Sequence, residues 1–145
     1  MKAIEIGRQH VPVVSGVTPV AELARVMQKH QVMCLVVVDA NMKPIGVISE
    51  RDLVLRALAP GVDFVHMTAA AIMSTPAIVC SEDASLTDVV RAMAGGGIAH
   101  LPLVGDRGQL AGMVSATDVT AAVTELLGQL AKALAPDALT DRPYT

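Results

Sequence analysis

Gly46-Val47-Ile48-Ser49-Glu50-Arg51-Asp52 returns 66 residues later in the same chain as Gly112-Met113-Val114-Ser115-Ala116-Thr117-Asp118. The same offset pairs residues 11–57 with 77–123 without a gap. Nine of those 47 pairs are identical: Val13, Ser15, Arg25, Met27, Leu35, Val38, Gly46, Ser49 and Asp52 with their partners. Chance matching at this composition gives roughly three or four. Most other pairs keep their class, as Leu23 with Val89 and Ile48 with Val114 do. A fixed internal period marks a repeated structural unit, so the 145 residues hold one unit twice.

Outward from the turn, each copy predicts the order β-α-β-β-α. Val11–Val14 and Ala77–Cys80 are short strand-like runs. Val20, Leu23, Ala24 and Met27 recur at helical spacing, as do Leu86, Val89, Val90 and Met93 in the second copy. Thr18-Pro19 predicts a helix start with Thr18 as N-cap and Pro19 at the first helical position. Gly95-Gly96-Gly97 predicts the end of the second copy's helix, because glycine enters the left-handed region cheaply. It is not read as a phosphate loop, since no Lys-Ser/Thr follows it.

Leu35–Val38 and Leu101–Val104 are continuous apolar runs suited to strands buried on both faces. After turns at Asn41–Pro44 and Asp106–Gly108, Ile45–Ile48 and Ala111–Val114 predict strands that enter helices at Ser49 and Ser115. The fold class is α/β (α+β). Copy one takes residues 8–59, a linker 60–71, and copy two 72–125. A helical extension and loose tail take 126–145. Thr68–Met73 predicts a short helix leading into copy two, and Val119–Leu134 extends the last helix beyond its counterpart. The Pro and Asp of Ala135–Thr145 predict the loose tail.

Composition narrows the function classes. Hydrophobic residues make up 52% of the chain but aromatics only 1%. The core is therefore built from small aliphatic side chains, and an aromatic platform for single-stranded nucleic acid is excluded. A net charge of −3, from 11 basic and 14 acidic residues that are scattered along the chain, is no footprint for duplex DNA. Apolar runs such as Val32–Val38 fall far short of the roughly 20 residues that span a bilayer. Met1–Ile6, with Glu5 inside it, does not resemble a signal peptide. Cys34, Cys80, His10, His30 and His66 show no metal-ligand spacing. No nucleophile–base spacing and no paired carboxylates stand out. The expectation is a soluble cytoplasmic protein with reduced thiols, no catalytic or metal site, and neither nucleic acid nor membrane as partner.

The repeated turn itself has two readings. Ser-x-x-Asp at a helix start is close to a capping box, and the preceding glycine allows close strand packing. Alternatively, the helix amides and dipole favour an anion, and the serine hydroxyl joins them. An aspartate one turn in would then suit a neutral diol such as ribose. Anion donors beside a diol acceptor describe a ribonucleotide. On the residues alone both readings stand.

The doubled turn is accompanied by Ile72-Met73-Ser74-Thr75-Pro76 ahead of copy two and by Ile98-Ala99-His100-Leu101-Pro102-Leu103-Val104 on its middle strand. Together, in order and over roughly residues 8–125, these motifs resemble a tandem pair of CBS domains (cystathionine β-synthase-type domains, together a Bateman module). The resemblance implies two β-α-β-β-α repeats packed sheet to sheet with pseudo-twofold symmetry. Two clefts between them would hold adenosine compounds: AMP, ADP, ATP, S-adenosylmethionine or, less often, NAD. It implies that Asp52 and Asp118 bind ribose hydroxyls with Ser49 and Ser115 nearby, and that Arg51, Thr117 and His100 contact phosphate. The base would lie against the backbone of Ala77–Val79 in one cleft and Val11–Val13 in the other. Pro102, beside His100 in the motif, completes the expected ligand-binding set.

The copies depart from one another. Cys34 stands where copy two has His100, and Arg51 where it has Thr117. The clefts are therefore expected to be unequal, with copy one's lacking the histidine. Sparse phosphate-facing charge disfavours a triphosphate. The expected function is not enzymatic. It is a regulatory sensor of an adenosine nucleotide or S-adenosylmethionine, acting through an effector protein or self-assembly and requiring no cofactor. A scaffold with empty clefts is the alternative. Leu53, Val54, Leu55, Ala57 and Leu58, with Val119, Ala121, Ala122 and Val123, leave two helices apolar nearly all round. With the resemblance, they predict a homodimer built on helical faces. The alternative is that the extended last helix folds back to cover them.

Overall fold

Two three-stranded sheets organise the chain in the computed structural model, which describes residues 1–61 and 63–135. The first half runs α1 (Ala3–Ile6), β1 (Val13–Val14), α2 (Val20–His30), β2 (Cys34–Val38), β3 (Pro44–Ser49) and α3 (Glu50–Asp52), which continues as a π-helical turn over Leu53–Leu58. The second runs α4 (Ala69–Ile72), β4 (Cys80–Ser81), α5 (Leu86–Gly96), β5 (His100–Val104), β6 (Leu110–Ser115) and α6 (Ala116–Ala133). β1 is parallel to β2, and β2 antiparallel to β3 with Leu35 opposite Ile48. β4, β5 and β6 repeat this pattern with Leu101 opposite Val114. Both sheets shift register at the matching step, Val37/Val38 and Leu103/Val104. The loose tail expected over 135–145 lies, apart from Ala135, outside the described residues.

The β-α-β-β-α order is present in both halves. Each first strand is only two residues long, shorter than the sequence suggests. Pro12 has no amide with which to extend β1 backwards. Thr18 is not the N-cap of α2: Pro19 holds that position and Val20 is the first helical residue. The Thr18 hydroxyl instead accepts from the Ser15 amide at 3.2 Å, closing the preceding turn. The amide of Val20, in the unbonded first turn of the helix, is satisfied by the Met67 carbonyl at 3.0 Å. α5 ends where the glycine triplet predicts, with Gly97 left-handed at φ 62°.

Helices cover one face of each sheet. Leu23, Leu35, Val37, Ile48 and Ala57 form the first core, and Val89, Leu101, Leu103, Val114 and Val119 the second. The alternate residues of β2, Cys34, Val36 and Val38, pack on Met113 and Leu110 of the opposite sheet. Burial on both faces is what the continuous apolar run reflects.

The segment before each repeat packs on the other repeat. Ala3 is buried in the second core, and its amide donates to Ala84 O at 2.8 Å. Arg8 and Met113 exchange backbone bonds of 2.8 and 2.9 Å. Symmetrically, Ala69 and Ile72 of α4 are buried in the first core, and Ser74 and Val47 exchange bonds of 2.9 and 3.1 Å. The 66-residue offset relates Ala3 to Ala69 and Arg8 to Ser74. The two repeat glycines make room for these crossing segments. A Cβ on Gly112 would strike the Arg8 carbonyl oxygen, and one on Gly46 the Met73 side chain.

Candidate functional site

β3 and β6 deliver Ser49 and Ser115 to helix starts, where each closes a reciprocal cap with an aspartate. Asp118 N donates to Ser115 Oγ at 3.1 Å, and Ser115 N to Asp118 Oδ2 at 2.9 Å. Ser49 and Asp52 make the same pair at 3.2 and 2.8 Å, and the Ser49 hydroxyl adds a bond to Oδ2 at 3.1 Å. The capping reading therefore holds in both copies. It uses only one oxygen of each carboxylate, so it leaves the diol reading intact. The remaining oxygens differ: Asp52 Oδ1 faces Arg56 Nε at 3.6 Å. In the second copy Ala122 stands where Arg56 would be, and among the described residues Asp118 makes no ion pair.

A cleft opens at each of these helix starts. One, of about 400 Å³, is bounded by Ser115, Thr117 and Asp118 together with Arg8, His10 and Val11. The other, of about 480 Å³, is bounded by Ser49, Arg51 and Asp52 together with Ser74, Ala77 and Ile78. Both volumes fall within the range of small-molecule sites. Met33, Cys34, Ala99 and His100 line both clefts. The starts of β2 and β5 thus form a common wall.

Most of the expected residues line the two clefts. Ser49, Arg51, Asp52 and Ala77 line one; Ser115, Thr117, Asp118 and Val11 line the other. The expectation that the first copy's cleft lacks a histidine is corrected, because His100 sits on the common wall and serves both. Three expected residues lie outside the cleft walls. Val13 joins the packing between the sheets, and Val79 is exposed beyond Ile78. Pro102 is fully buried in β5, two residues and so about 7 Å along the strand from His100.

Arg8 and His10 were not among the expected cleft residues, because they stand at the very start of the first copy, ahead of the gap-free repeat alignment that begins at Val11, yet line the second copy's cleft. A signal was nonetheless present. Extending the 66-residue offset backwards pairs Ile6–His10 with Ile72–Pro76, the stretch already singled out ahead of copy two.

The common wall is electrostatically quiet. Burial, reinforced by Asp52, pushes the Cys34 thiol up to about 12, so it stays protonated and unreactive. Burial holds His100 below its ordinary value; Asp118 pulls it upward and Arg8 pushes it further down. The unliganded imidazole is accordingly neutral at pH 7.

The CBS domain family matches this chain twice, over residues 3–58 and 69–125. The chain belongs to the CBS domain family. Both matched spans begin at the crossing segments that the fold exchanges between halves. The CBS pair is 36% identical over 115 residues to the Methanopyrus kandleri protein MK0525, covering 79% of this chain and 59% of that protein. The chain thus spans about three-fifths of that relative's length. Among solved structures it is similar to the CBS domain pair of protein MJ0100 in complex with 5′-methylthioadenosine and S-adenosyl-L-methionine. That likeness has a TM-score of 0.75 and 24% identity, and covers 85% of this chain and 99% of that one. CBSX2 in complex with AMP gives 0.72 and 23%, covering 86% and 97%. These likenesses establish the fold of a CBS pair. No helix among the described residues is long and apolar enough to cross a membrane.

Proposed function

We propose that this CBS pair is a regulatory module that binds an adenosine nucleotide or S-adenosylmethionine in its clefts, with no catalytic step of its own. The observation that carries the reading is the half-used carboxylate. Each cap engages one oxygen of its aspartate, which leaves the second oxygen of Asp118 as an acceptor for ribose hydroxyls, while that of Asp52 is shared with Arg56 at 3.6 Å. The ligands that co-crystallised with MJ0100 and CBSX2 support the same class. Few cations line either cleft, so a monophosphate or an uncharged 5′-substituent suits them better than a triphosphate. Binding is read out by an effector protein or by self-association, in the cytoplasm.

Thermal shift with AMP, ADP, ATP, S-adenosylmethionine and adenosine tests the class, since a ligand at 100 times its Kd adds about 2.7 kcal/mol. No stabilisation by any of them would instead favour a scaffold whose clefts stay empty. Charge-assisted hydrogen bonds are worth roughly 1.5–3 kcal/mol. Asp118→Asn or Asp52→Asn should therefore weaken binding in its own cleft by about tenfold or more, measured by calorimetry. Unchanged affinity in both variants would overturn the ribose assignment.

A further inference from the structure

The two clefts carry the same cap and a common wall, yet the crossing segments furnish them differently. Arg8 is held beside β6 by its two backbone bonds to Met113, which lies on the same strand face as Ser115. Close approach fixes this placement: a Cβ on either Gly7 or Gly112 would collide with backbone across the pairing. The guanidinium makes no ion pair among the described residues and borders the cleft with Asp118 and His100. It is near enough to His100 to shift that imidazole's titration, as is Asp118. The three groups share one corner.

The symmetric position in the other cleft is Ser74, anchored to Val47 by the same pair of backbone bonds. An identical scaffold therefore presents a cation to one cleft and a hydroxyl to the other. The Asp52 cleft has its own cation, Arg51, but its neighbour Glu50 lines the same cleft and offsets that charge.

We propose that Arg8, carried across by the N-terminal segment, is a specificity-determining residue that makes the Asp118 cleft the phosphate-accepting one and leaves the Asp52 cleft to uncharged or cationic adenosine compounds. This rests on the ribonucleotide reading above and gives it a direction. A guanidinium presents a planar fork of donors that matches two oxygens of a phosphate. The ribose of the same ligand would meet the spare oxygen of Asp118. Adenosine, lacking the phosphate, gains nothing from Arg8.

Calorimetric titration of AMP and of adenosine into the full chain separates these contributions. Arg8→Met should weaken AMP by about tenfold and leave adenosine within about twofold. The loss should persist in an Asp52→Asn background, which leaves the Asp118 cleft intact. Arg91→Met, on exposed α5 and outside both clefts, should change neither ligand by more than about twofold. Ser74→Arg should raise the preference for AMP in the other cleft. An AMP-to-adenosine ratio unchanged by Arg8→Met, or lowered equally by Arg91→Met, would overturn the assignment of Arg8 while adenosine binding kept the ribonucleotide reading alive. If neither compound binds the unaltered protein, both fall together.

Discussion

His100 is where single-residue chemistry reaches both clefts at once. Its imidazole is half-buried on the common wall, with Asp118 and Arg8 acting on it in opposite directions and Cys34 beside it. In the unfolded chain this histidine takes up a proton near pH 6.5; in the folded chain it does so only at lower pH. Below 6.5 the unfolded state therefore binds more protons, so stability is intact above that value and declines as the pH falls through it. Urea unfolding at pH 7.5 and 5.5 should show this loss in the parent protein and a smaller loss in His100→Asn. An equal loss in both would place the acid sensitivity elsewhere. The sequence marked His100 through its motif. It gave no sign that the residue is shared, because sharing depends on two strand starts 66 residues apart meeting on one wall.

At the scale of elements, the exchange of α1 and α4 explains a feature that the caps alone do not. The glycine that opens each aspartate-bearing turn, six residues before the aspartate, is there for the crossing segment, and the two positions differ in what presses on them. At Gly112 the obstacle is the Arg8 carbonyl, a backbone atom already committed to the Met113 ladder; at Gly46 it is the side chain of Met73. Backbone cannot yield without breaking its hydrogen bonds, whereas an unbranched thioether can rotate away. Gly112→Ala should accordingly cost about 3 kcal/mol or more and Gly46→Ala about 1 kcal/mol, read from chemical denaturation. Equal costs would mean that the crossing segments adapt equally well. The strands, the capped helices and the repeat were legible because period, turn residues and caps are local signals. The crossing was not. Lys2–Arg8 leads into the first repeat in sequence, but the burial of Ala3 in the second core and the backbone pair of Arg8 with Met113 assign it to the other half. That same blind spot concealed Arg8 and His10.

At the scale of the whole molecule, the apolar surface left over bears on the two outcomes the sequence allowed. An α6 that folded back over the first repeat would bury its own apolar stripe. Instead Leu127 and Leu134 are 60% and 61% exposed, and Leu130, Val54, Leu55 and Leu58 are also exposed. α6 packs on α1, α5 and β6, elements gathered around its own sheet. Val123, Leu127 and Leu130 follow one another at steps of four and three residues, which places them on a single stripe of the helix, with Leu134 just past its end. A stripe of that length on a protein this small calls for a covering surface, and a second copy offers a matching apolar face under twofold symmetry. The protein should therefore be a homodimer built on its helical faces. Light scattering at micromolar concentration should report about twice the 15.0 kDa chain mass. Leu127→Glu combined with Leu130→Glu should return it to the monomer mass without loss of ligand binding, because neither residue touches a cleft. A parent protein that stays at 15.0 kDa as it is concentrated would show that the stripe is tolerated bare.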